Sequence, residues 1–571
     1  MSRTRYGYDR FFSRWLFIPA AGAFLFLGVT LSPIASAALP SSVLPGVVDR
    51  PPIELPPLIS EDRVEVPVPR PQPMQPPAVE GEPVATLSRI DFGGTLLLKE
   101  RKLQETVKPY LNRPITSGDI AQMKYELTSL YFKDGYVLVK VTTPPQDLSD
   151  GVMEVVVIAG RIGTITTNND VLNESIANSR TREIRSGDVF NERTVESALQ
   201  DVDDLTNIES SVSLRPGKET GTTDLDIKIR KAAESQDIQV FTIDNYGSKF
   251  TGETVGRLTL QKSNLMGIGE TLAVTGRKSE DDFWSVQTSA IFPMPLRNLQ
   301  LEMDYLRSDN SIGEVFTALD SDGESEVYQL ALSSALINQR QHKLVLRGGV
   351  ERGRYESFLD NISDTDDTIS KLYAEGSYTM RLSRLVSFLS LRASKGVSTF
   401  GADDKGELDA SRIKGDPRAW TFDTLLYTNL RLTDRDFAQL IVQGQYATTT
   451  LLSSDLFVIG GYGSVRGYEP AQSTGDSGAS ATLDVYHQFN MPARWYAQAG
   501  PFVDYGYVHN RVDHSTLENN LWSAGIGVEF NYKHSSKYTS KLRLDWAHPL
   551  SHKSLPQVDD DTLYARFTQL F

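Results

Sequence analysis

From residue 237 to the C-terminus, apolar and polar residues alternate, and a period of about two residues is that of a β-strand. In the segment 520–531, Trp522, Ile526 and Phe530 fall on one face, and small or polar residues occupy the other. Sixteen segments of this kind begin near residues 237, 253, 270, 282, 297, 323, 341, 370, 385, 419, 436, 480, 494, 519, 538 and 562. The pattern therefore predicts sixteen strands.

Long strands in an open sheet leave edges that must be protected, and a closed barrel removes those edges. No stretch after the N-terminal segment has the ~20 consecutive apolar residues of a membrane helix. A membrane barrel crosses instead with strands of ~9–11 residues, and bacterial examples have an even number of antiparallel strands. Residues 236–571 are therefore predicted to form an all-β transmembrane barrel of 16 antiparallel strands. The alternative is a soluble all-β domain.

Two features of the predicted strands suit an outer-membrane barrel. Aromatic residues lie at strand ends, where interface girdles are expected: Trp420, Trp495, Tyr507, Trp522 and Tyr564. The last strand places Leu563, Phe567 and Phe571 on one face. A terminal phenylalanine is a common feature of proteins delivered to the bacterial outer membrane.

Before residue 236 the apolar period becomes partly helical. Residues 84–160 predict the order β-α-α-β-β, with a helix that starts near Ser117 and stops before Gly135. Residues 161–235 repeat the order more loosely, and Asn191 is the predicted N-cap of a helix. The sequence therefore predicts two α+β units in tandem ahead of the barrel.

The N-terminal residues read as an export segment and a linker. Residues 1–37 combine a basic stretch, an apolar run and the small-residue site Ala35-Ser36-Ala37, which is typical of a cleaved signal peptide. A membrane anchor is the alternative. Residues 38–83 are dense in proline, which predicts an extended, semi-rigid linker.

Composition excludes several kinds of site. The chain has no cysteine, so it has no disulfide framework and no cysteine metal site. Its net charge of −15 gives no electrostatic support for nucleic-acid binding. None of its seven histidines lies in a nucleophile motif or at metal-ligand spacing. We therefore expect no catalytic residue, no metal and no cofactor.

The glycine-rich stretch GGYGSVRGYEP, residues 460–470, lies between predicted strands eleven and twelve and contains one arginine, Arg466. On the next strand, the alternation turns Asp504 toward the barrel lumen, with Gly500 and Gly506 beside it. An arginine inside a barrel needs a carboxylate, and the two groups can pair through two hydrogen bonds. We therefore expect the loop to fold inward and Arg466 to pair with Asp504. The alternative is a solvated Arg466 and a different lumenal cation for Asp504.

These features together resemble the outer-membrane transporters of two-partner secretion, the TpsB family, of hemolysin-activator and filamentous-hemagglutinin-transporter type. The resemblance covers residues 84–571 and rests on five segments: PPQDLSDG, RPGKETGTTDLDI, DNYGS, VRGY and FVDYG. It implies POTRA domains at 84–160 and 161–235. It also implies a lock between the sixth outer loop and the barrel wall, formed by Val465, Arg466, Gly467, Tyr468, Phe502, Asp504 and Gly506. Family members usually begin with a helical barrel plug, but proline density around LPGVVDRPP leaves little room for one.

The resemblance implies a transporter and not an enzyme. Its POTRA domains would bind an unfolded secreted exoprotein in the periplasm, and the exoprotein would leave through the barrel without nucleotide hydrolysis. The exoprotein would be an adhesin, a cytolysin or a toxin, and the transporter a monomer in contact with outer-membrane lipid. Two alternatives remain open: a barrel-assembly factor of the same superfamily and an outer-membrane hydrolase. A passive porin does not explain two periplasmic units.

Overall fold

The computed structural model describes residues 45–46, 82–233, 237–281, 283–313, 321–360, 362–511, 519–535, 538–551 and 561–571. The predicted signal peptide, and all of the predicted linker except residues 45–46 and 82–83, lie outside these ranges. Among the helices that the described residues form, none has the length and apolar character needed to cross a membrane.

The first α+β unit is built on a three-stranded sheet covered by two helices. Its elements are β1 (Pro83–Thr86), β2 (Arg89–Gly94), α1 (Glu100–Val107), β3 (Pro114–Thr116), α2 (Ser117–Lys133), β4 (Val139–Thr142) and β5 (Val152–Ala159). The sheet order is β2-β5-β4, with β2 parallel to β5, and β1 pairs separately with β3. The first strand of the predicted β-α-α-β-β order is thus two strands, because β1 and β2 bond to different partners.

Local signals in the sequence set the ends of α2. Thr116 and Asp119 form a reciprocal capping box, which satisfies two of the backbone N–H groups at the start of the helix. At the other end, Gly135 follows the cap residue with a φ of 89°, a conformation that favours glycine. Both ends lie where the sequence predicted them.

The second α+β unit repeats the layout with a different set of helix lengths. Its elements are β6 (Arg161–Asn169), α3 (Glu174–Thr181), α4 (Glu192–Asp203), β7 (Ile208–Pro216) and β8 (Thr222–Lys231), and its sheet order is β6-β8-β7. The Asn191 side chain accepts a hydrogen bond from the Arg193 amide, so the predicted N-cap is confirmed. Val137 of the first unit packs into the core of the second, and the other buried apolar residues of the first unit form a separate core.

The remaining chain forms a closed barrel of sixteen antiparallel strands, as predicted. The strands are β9 (Gln239–Asp244), β10 (Val255–Ser263), β11 (Thr271–Ser279), β12 (Phe283–Pro293), β13 (Leu299–Ser311), β14 (Ser321–Asn338), β15 (His342–Leu359), β16 (Ile362–Leu382), β17 (Leu385–Gly396), β18 (Trp420–Arg431), β19 (Asp436–Ala447), β22 (Ser477–Phe489), β23 (Trp495–His509), β24 (Asn520–Lys533), β25 (Thr539–Pro549) and β26 (Thr562–Leu570). Two short strands, β20 (Phe457–Ile459) and β21 (Ser473–Gly475), pair with each other outside the barrel sheet. The barrel closes where β26 pairs with β9.

One barrel strand begins earlier than its sequence pattern indicated. β16 starts at Ile362 and not near residue 370. Its first residues, ISDTDDT, are polar on both faces, so they carry no apolar alternation to detect. Elsewhere the alternation identified the strands because every strand exposes an apolar face outward, as Leu330, Val503 and Leu563 do.

Three turns at one end of the barrel contact the second α+β unit. The β10–β11 turn accepts a backbone hydrogen bond at the Gly267 carbonyl from the Asn173 amide, over 2.7 Å. In the β12–β13 turn, the Arg297 Nε lies 3.0 Å from the Asp201 carboxylate. Beside the β14–β15 turn, the Lys343 Nζ lies 2.8 Å from the Asp204 carboxylate. The C-terminal end of α4 is therefore fastened to the barrel.

Residues 45–46 lie inside the barrel. The Gly46 amide donates a hydrogen bond to Ser325 Oγ on the inward face of β14, over 3.0 Å. Gly46 has a φ of 76°, and a Cβ there would lie 2.8 Å from the Cβ of Ser454. A glycine is therefore required for this close approach to the barrel interior.

Candidate functional site: a loop fastened inside the barrel

Residues 448–476 connect β19 to β22 on the side of the barrel away from the α+β units, and this segment is called the inner loop. The β20–β21 pair lies within it. The loop turns back into the lumen, where Val465 and Tyr468 are buried against Val508 and Leu521 of the wall. This apolar contact places the intervening Arg466 against the inner face of the barrel.

Arg466 and Asp504 form a two-point ion pair. The Nε and Nη2 atoms of Arg466 each lie 2.8 Å from a different oxygen of the Asp504 carboxylate. The Arg466 backbone amide also donates to this carboxylate over 3.0 Å. Arg466 is 3% exposed and Asp504 is fully buried. This fork geometry fixes the orientation of both groups as well as their separation.

Two further carboxylates surround the same guanidinium, and the sequence analysis did not identify them. The Nη1 and Nη2 atoms of Arg466 each lie 3.1 Å from Asp484 Oδ1 on β22. Asp545 on β25 lies 3.5 Å from Nη1, and Arg543 Nε pairs with that Asp545 over 2.7 Å. The alternation predicts that all three side chains face inward, but it does not predict that they converge.

An aromatic ring and a glycine complete the seat for Arg466. Its guanidinium carbon lies 3.3 Å from the ring centroid of Phe502, which is a cation–π arrangement. A Cβ at Gly506 would lie 2.8 Å from Val465 Cγ2, so glycine is what lets the loop approach the wall here. Gly500 was also expected to leave room for the loop. Its small size instead serves the strand pairing, because a Cβ at this position would meet the Val485 carbonyl of the neighbouring strand.

The prediction for Tyr564 is wrong. This residue was expected in an outer aromatic girdle, but it is 5% exposed and faces the lumen. Its hydroxyl accepts a hydrogen bond from the Gly467 amide over 2.9 Å. Tyr564 lies on the opposite strand face from Leu563, so the parity of its own strand could have identified it.

The tip of the loop also spans the seam where the first and last barrel strands meet. The ring of Tyr462 stacks on that of Tyr246, which follows β9, with centroids 3.7 Å apart and planes at 15°. Glu469 pairs with Lys249 of the β9–β10 connection over 3.2 Å. Because Tyr564 belongs to β26, the loop tip contacts both sides of the seam.

The chemistry of this site is charge pairing. Within the part of the chain that the structure describes, no group of three or more His, Cys, Asp or Glu side chains is arranged to hold a metal ion. His487 and His548 each pair with an aspartate at a strand end, over 2.8 Å. The converging groups at Arg466 can hold a loop in place, and a change in these pairs can release it.

Two α+β units, a sixteen-stranded barrel and an inwardly fastened loop define an outer-membrane transporter with periplasmic POTRA domains. The sequence profile of the POTRA domain, ShlB-type, matches residues 85–160. The profile of the haemolysin secretion/activation protein ShlB/FhaC/HecB matches residues 221–530. The chain belongs to the ShlB/FhaC/HecB family, and it is a two-partner secretion transporter of the outer membrane.

Individual relatives agree with this assignment. The outer membrane transporter CdiB of Dickeya dadantii is 24% identical over 492 residues, which cover 84% of this chain and 86% of the relative. The heme/hemopexin transporter protein HuxB of Haemophilus influenzae is 20% identical over 471 residues, covering 79% of this chain and 81% of HuxB. The structure of CdiB from Escherichia coli superimposes with a TM-score of 0.73 at 20% identity, covering 92% and 95% of the two chains. The family consists of transporters, which selects this class over an assembly factor or a hydrolase.

Proposed function

We propose that the protein binds its exoprotein in unfolded form through the POTRA domains and passes it through the barrel. In this proposal Arg466 locks the inner loop across the lumen and must be released for transport. The observation that carries the proposal is the burial of Arg466 among three wall carboxylates, because a loop arginine without a holding role has no reason to leave water.

The proposed binding mode for the exoprotein is extended-chain recognition. In each α+β unit two strands lie at a sheet edge, β2 and β4 in the first and β6 and β7 in the second. An unfolded chain can add to such an edge through backbone hydrogen bonds, which are independent of its sequence. We assign the two POTRA domains to residues 84–160 and 161–235 and the barrel to residues 236–571. The working unit would be a monomer in contact with outer-membrane lipid, since the lumen and both POTRA domains belong to one chain.

Charge pairing suits a lock that must also open. A buried ion pair adds little net stability compared with an apolar contact, because desolvation offsets most of its attraction. Removing one partner is different, since it leaves an uncompensated buried charge and costs about 3–5 kcal/mol. These ion pairs hold the loop in one defined position. Another charged or polar group that enters the lumen can still replace the loop as the partner of the wall carboxylates.

The test is secretion from a two-gene system, in which this protein is expressed with the exoprotein encoded beside it. We expect Arg466→Ala to lower exoprotein in the medium by about tenfold or more, because the buried Asp504 loses its cation and the loop loses its defined position. Arg466→Lys should restore part of the loss, since lysine keeps the charge but not the fork. The matched control is Arg431→Ala, whose side chain is 44% exposed at the end of β18.

Barrel abundance and heat-modifiable mobility are measured for every variant. Unchanged secretion by Arg466→Ala, with the barrel present and folded, would contradict the lock. A wild-type protein that exports nothing, while other outer-membrane barrels assemble poorly in its absence, would contradict the transport proposal itself.

A further inference from the structure

The inner loop touches a second wall of the barrel, away from Arg466. Near its start, a short 3₁₀ turn (Ser453–Asp455) brings the Asp455 carboxylate against Lys371 Nζ. Lys371 lies on the inward face of β16, since its neighbour Leu372 is exposed on the outside. β16 lies nearly half a circuit of the sheet away from β25, which contacts the other end of the loop.

The wall around Lys371 carries charges of both signs. Lys371 pairs across the strands with Glu351 on β15, over 3.5 Å. Arg392 on β17 binds the same Glu351 carboxylate over 2.8 Å, and its guanidinium carbon lies 3.8 Å from the ring centroid of Tyr373. Glu351 thus binds two cations, and the loop's Asp455 gives Lys371 a further carboxylate partner.

The start and the tip of the loop therefore carry opposite charges, and each pairs with a wall side chain of the opposite sign. Around Arg466 the wall is acidic, because Asp484, Asp504 and Asp545 outnumber Arg543, and the loop supplies a cation. At Lys371 the wall offers a largely buried cation, and the loop supplies an anion. Because the loop start and the loop tip need partners of opposite sign, the two ion pairs favour one orientation of the loop across the lumen.

We propose that Lys371 is a second anchor of the inner loop, and that the Lys371–Asp455 and Arg466–Asp504 pairs must both break for the loop to leave the lumen. The part of this inference that concerns transport rests on the proposed function. Lys371 acts as a positioning residue, because it holds the loop segment and does not contact the secreted chain in order to do so. Loss of this pair should free the start of the loop while its tip stays bound.

The test measures the accessibility of the loop start, and it uses the absence of cysteine from the chain. A single cysteine replaces Ser453, which is buried beside Asp455. Its labelling by a water-soluble maleimide is timed in the full-length protein. We expect Lys371→Met and Asp455→Asn each to speed labelling by about tenfold, and the double variant to label no faster than either single one, because they remove the same contact.

The conservative variant Lys371→Arg keeps the cation and should label close to the wild-type rate, whereas Lys371→Met fills a similar space without the charge, so comparing the two separates ion pairing from space filling. Lys278→Met on β11 is the control, since its Nζ binds the nearby Asp281 carbonyl in an exposed position. Heat-modifiable mobility confirms that each barrel is folded.

Wild-type labelling rates in both single variants would overturn the second anchor. Labelling needs no exoprotein, so the result is independent of whether secretion is observed. If labelling behaves as expected and Arg466→Ala still secretes normally, the anchor stands and the proposed lock by Arg466 fails.

Discussion

Asp203 lies at the end of α4 in the second POTRA domain, where its carboxyl group is largely removed from water. Its hydrogen bond comes from the Ser210 amide, over 2.6 Å. Burial raises the pKa of Asp203 to about 7; the hydrogen bonds from Ser210 oppose this rise, and the nearby charges of Asp204 and Glu209 add a smaller increase. The folded protein therefore keeps a proton that the unfolded chain, with a carboxyl pKa of about 3.9, has lost near neutrality.

This pKa gives the domain a predictable response to pH. Because the folded-state pKa is raised, stability is greatest below about pH 4 for this group and falls as pH rises through 7. We expect the urea midpoint of the second POTRA domain to decrease as the pH rises from 5 to 8. The midpoint is measured by limited proteolysis of the full-length protein. Asp203→Asn should flatten the profile, and the exposed control Glu219→Gln should leave it unchanged. A wild-type midpoint that rises with pH would contradict the assignment.

At single positions, what could be predicted follows from parity, that is, from the alternation of inward and outward side chains along a strand. Asp504 was placed in the lumen by alternation alone, and the charge of Arg466 required a carboxylate. Tyr564 was misplaced because its position near a strand end was given more weight than its parity. Asp484 and Asp545 could not be singled out, since parity gives the face of a strand but not the three-dimensional meeting point of several strands.

At the scale of elements, the start of helix α2 is set by a capping box whose two residues lie close together in the sequence. The Thr116 hydroxyl accepts from the Asp119 amide over 3.2 Å, and the Thr116 amide donates to the Asp119 carboxylate over 2.8 Å. Arg113 binds the other Asp119 oxygen and lowers the carboxyl pKa to about 2. The cap is therefore charged and intact at any physiological pH.

Loss of the cap hydroxyl should loosen the first turn of α2. Thr116→Ala is expected to cost about 1 kcal/mol, which corresponds to roughly fivefold faster hydrogen exchange at the Asp119 amide. Thr106→Ala is the matched control, because Thr106 lies inside α1 and its hydroxyl binds a backbone carbonyl one turn earlier. Equal exchange rates in wild type and Thr116→Ala would show that packing of α2, and not the cap, holds this turn.

At the scale of the whole molecule, the joint between the second POTRA domain and the barrel depends strongly on Arg297. Its guanidinium bridges Glu183, Asp201 and Ser197, and the Asp201 side chain is fully buried. The sequence did not predict this joint, because turn residues have no period from which contacts can be inferred. The order of domains was predictable, since each repeats its own pattern over many residues.

Removal of this cation should let the POTRA domain change its orientation. Spin labels at Lys218→Cys and Asp434→Cys report the distance from the second POTRA domain to a barrel turn, in a chain without other cysteines. We expect Arg297→Ala to broaden the distance distribution, because Asp201 loses its cation. Arg215→Ala, whose side chain is 71% exposed, is the control. An unchanged distribution would mean that the other two turns fix the domain.

The partners of Arg466 also impose an order on folding. Asp504, Asp545 and the stacked pair Tyr462–Tyr246 bring together strands from late in the chain and a residue that follows the first barrel strand. Contacts between residues so far apart in sequence form slowly, since the intervening chain must close first. The full set of these contacts can exist only after β26 has met β9. The loop tip with Tyr462 stacked on Tyr246 therefore indicates that barrel assembly is complete, and a truncated or unclosed barrel would leave the loop without this contact.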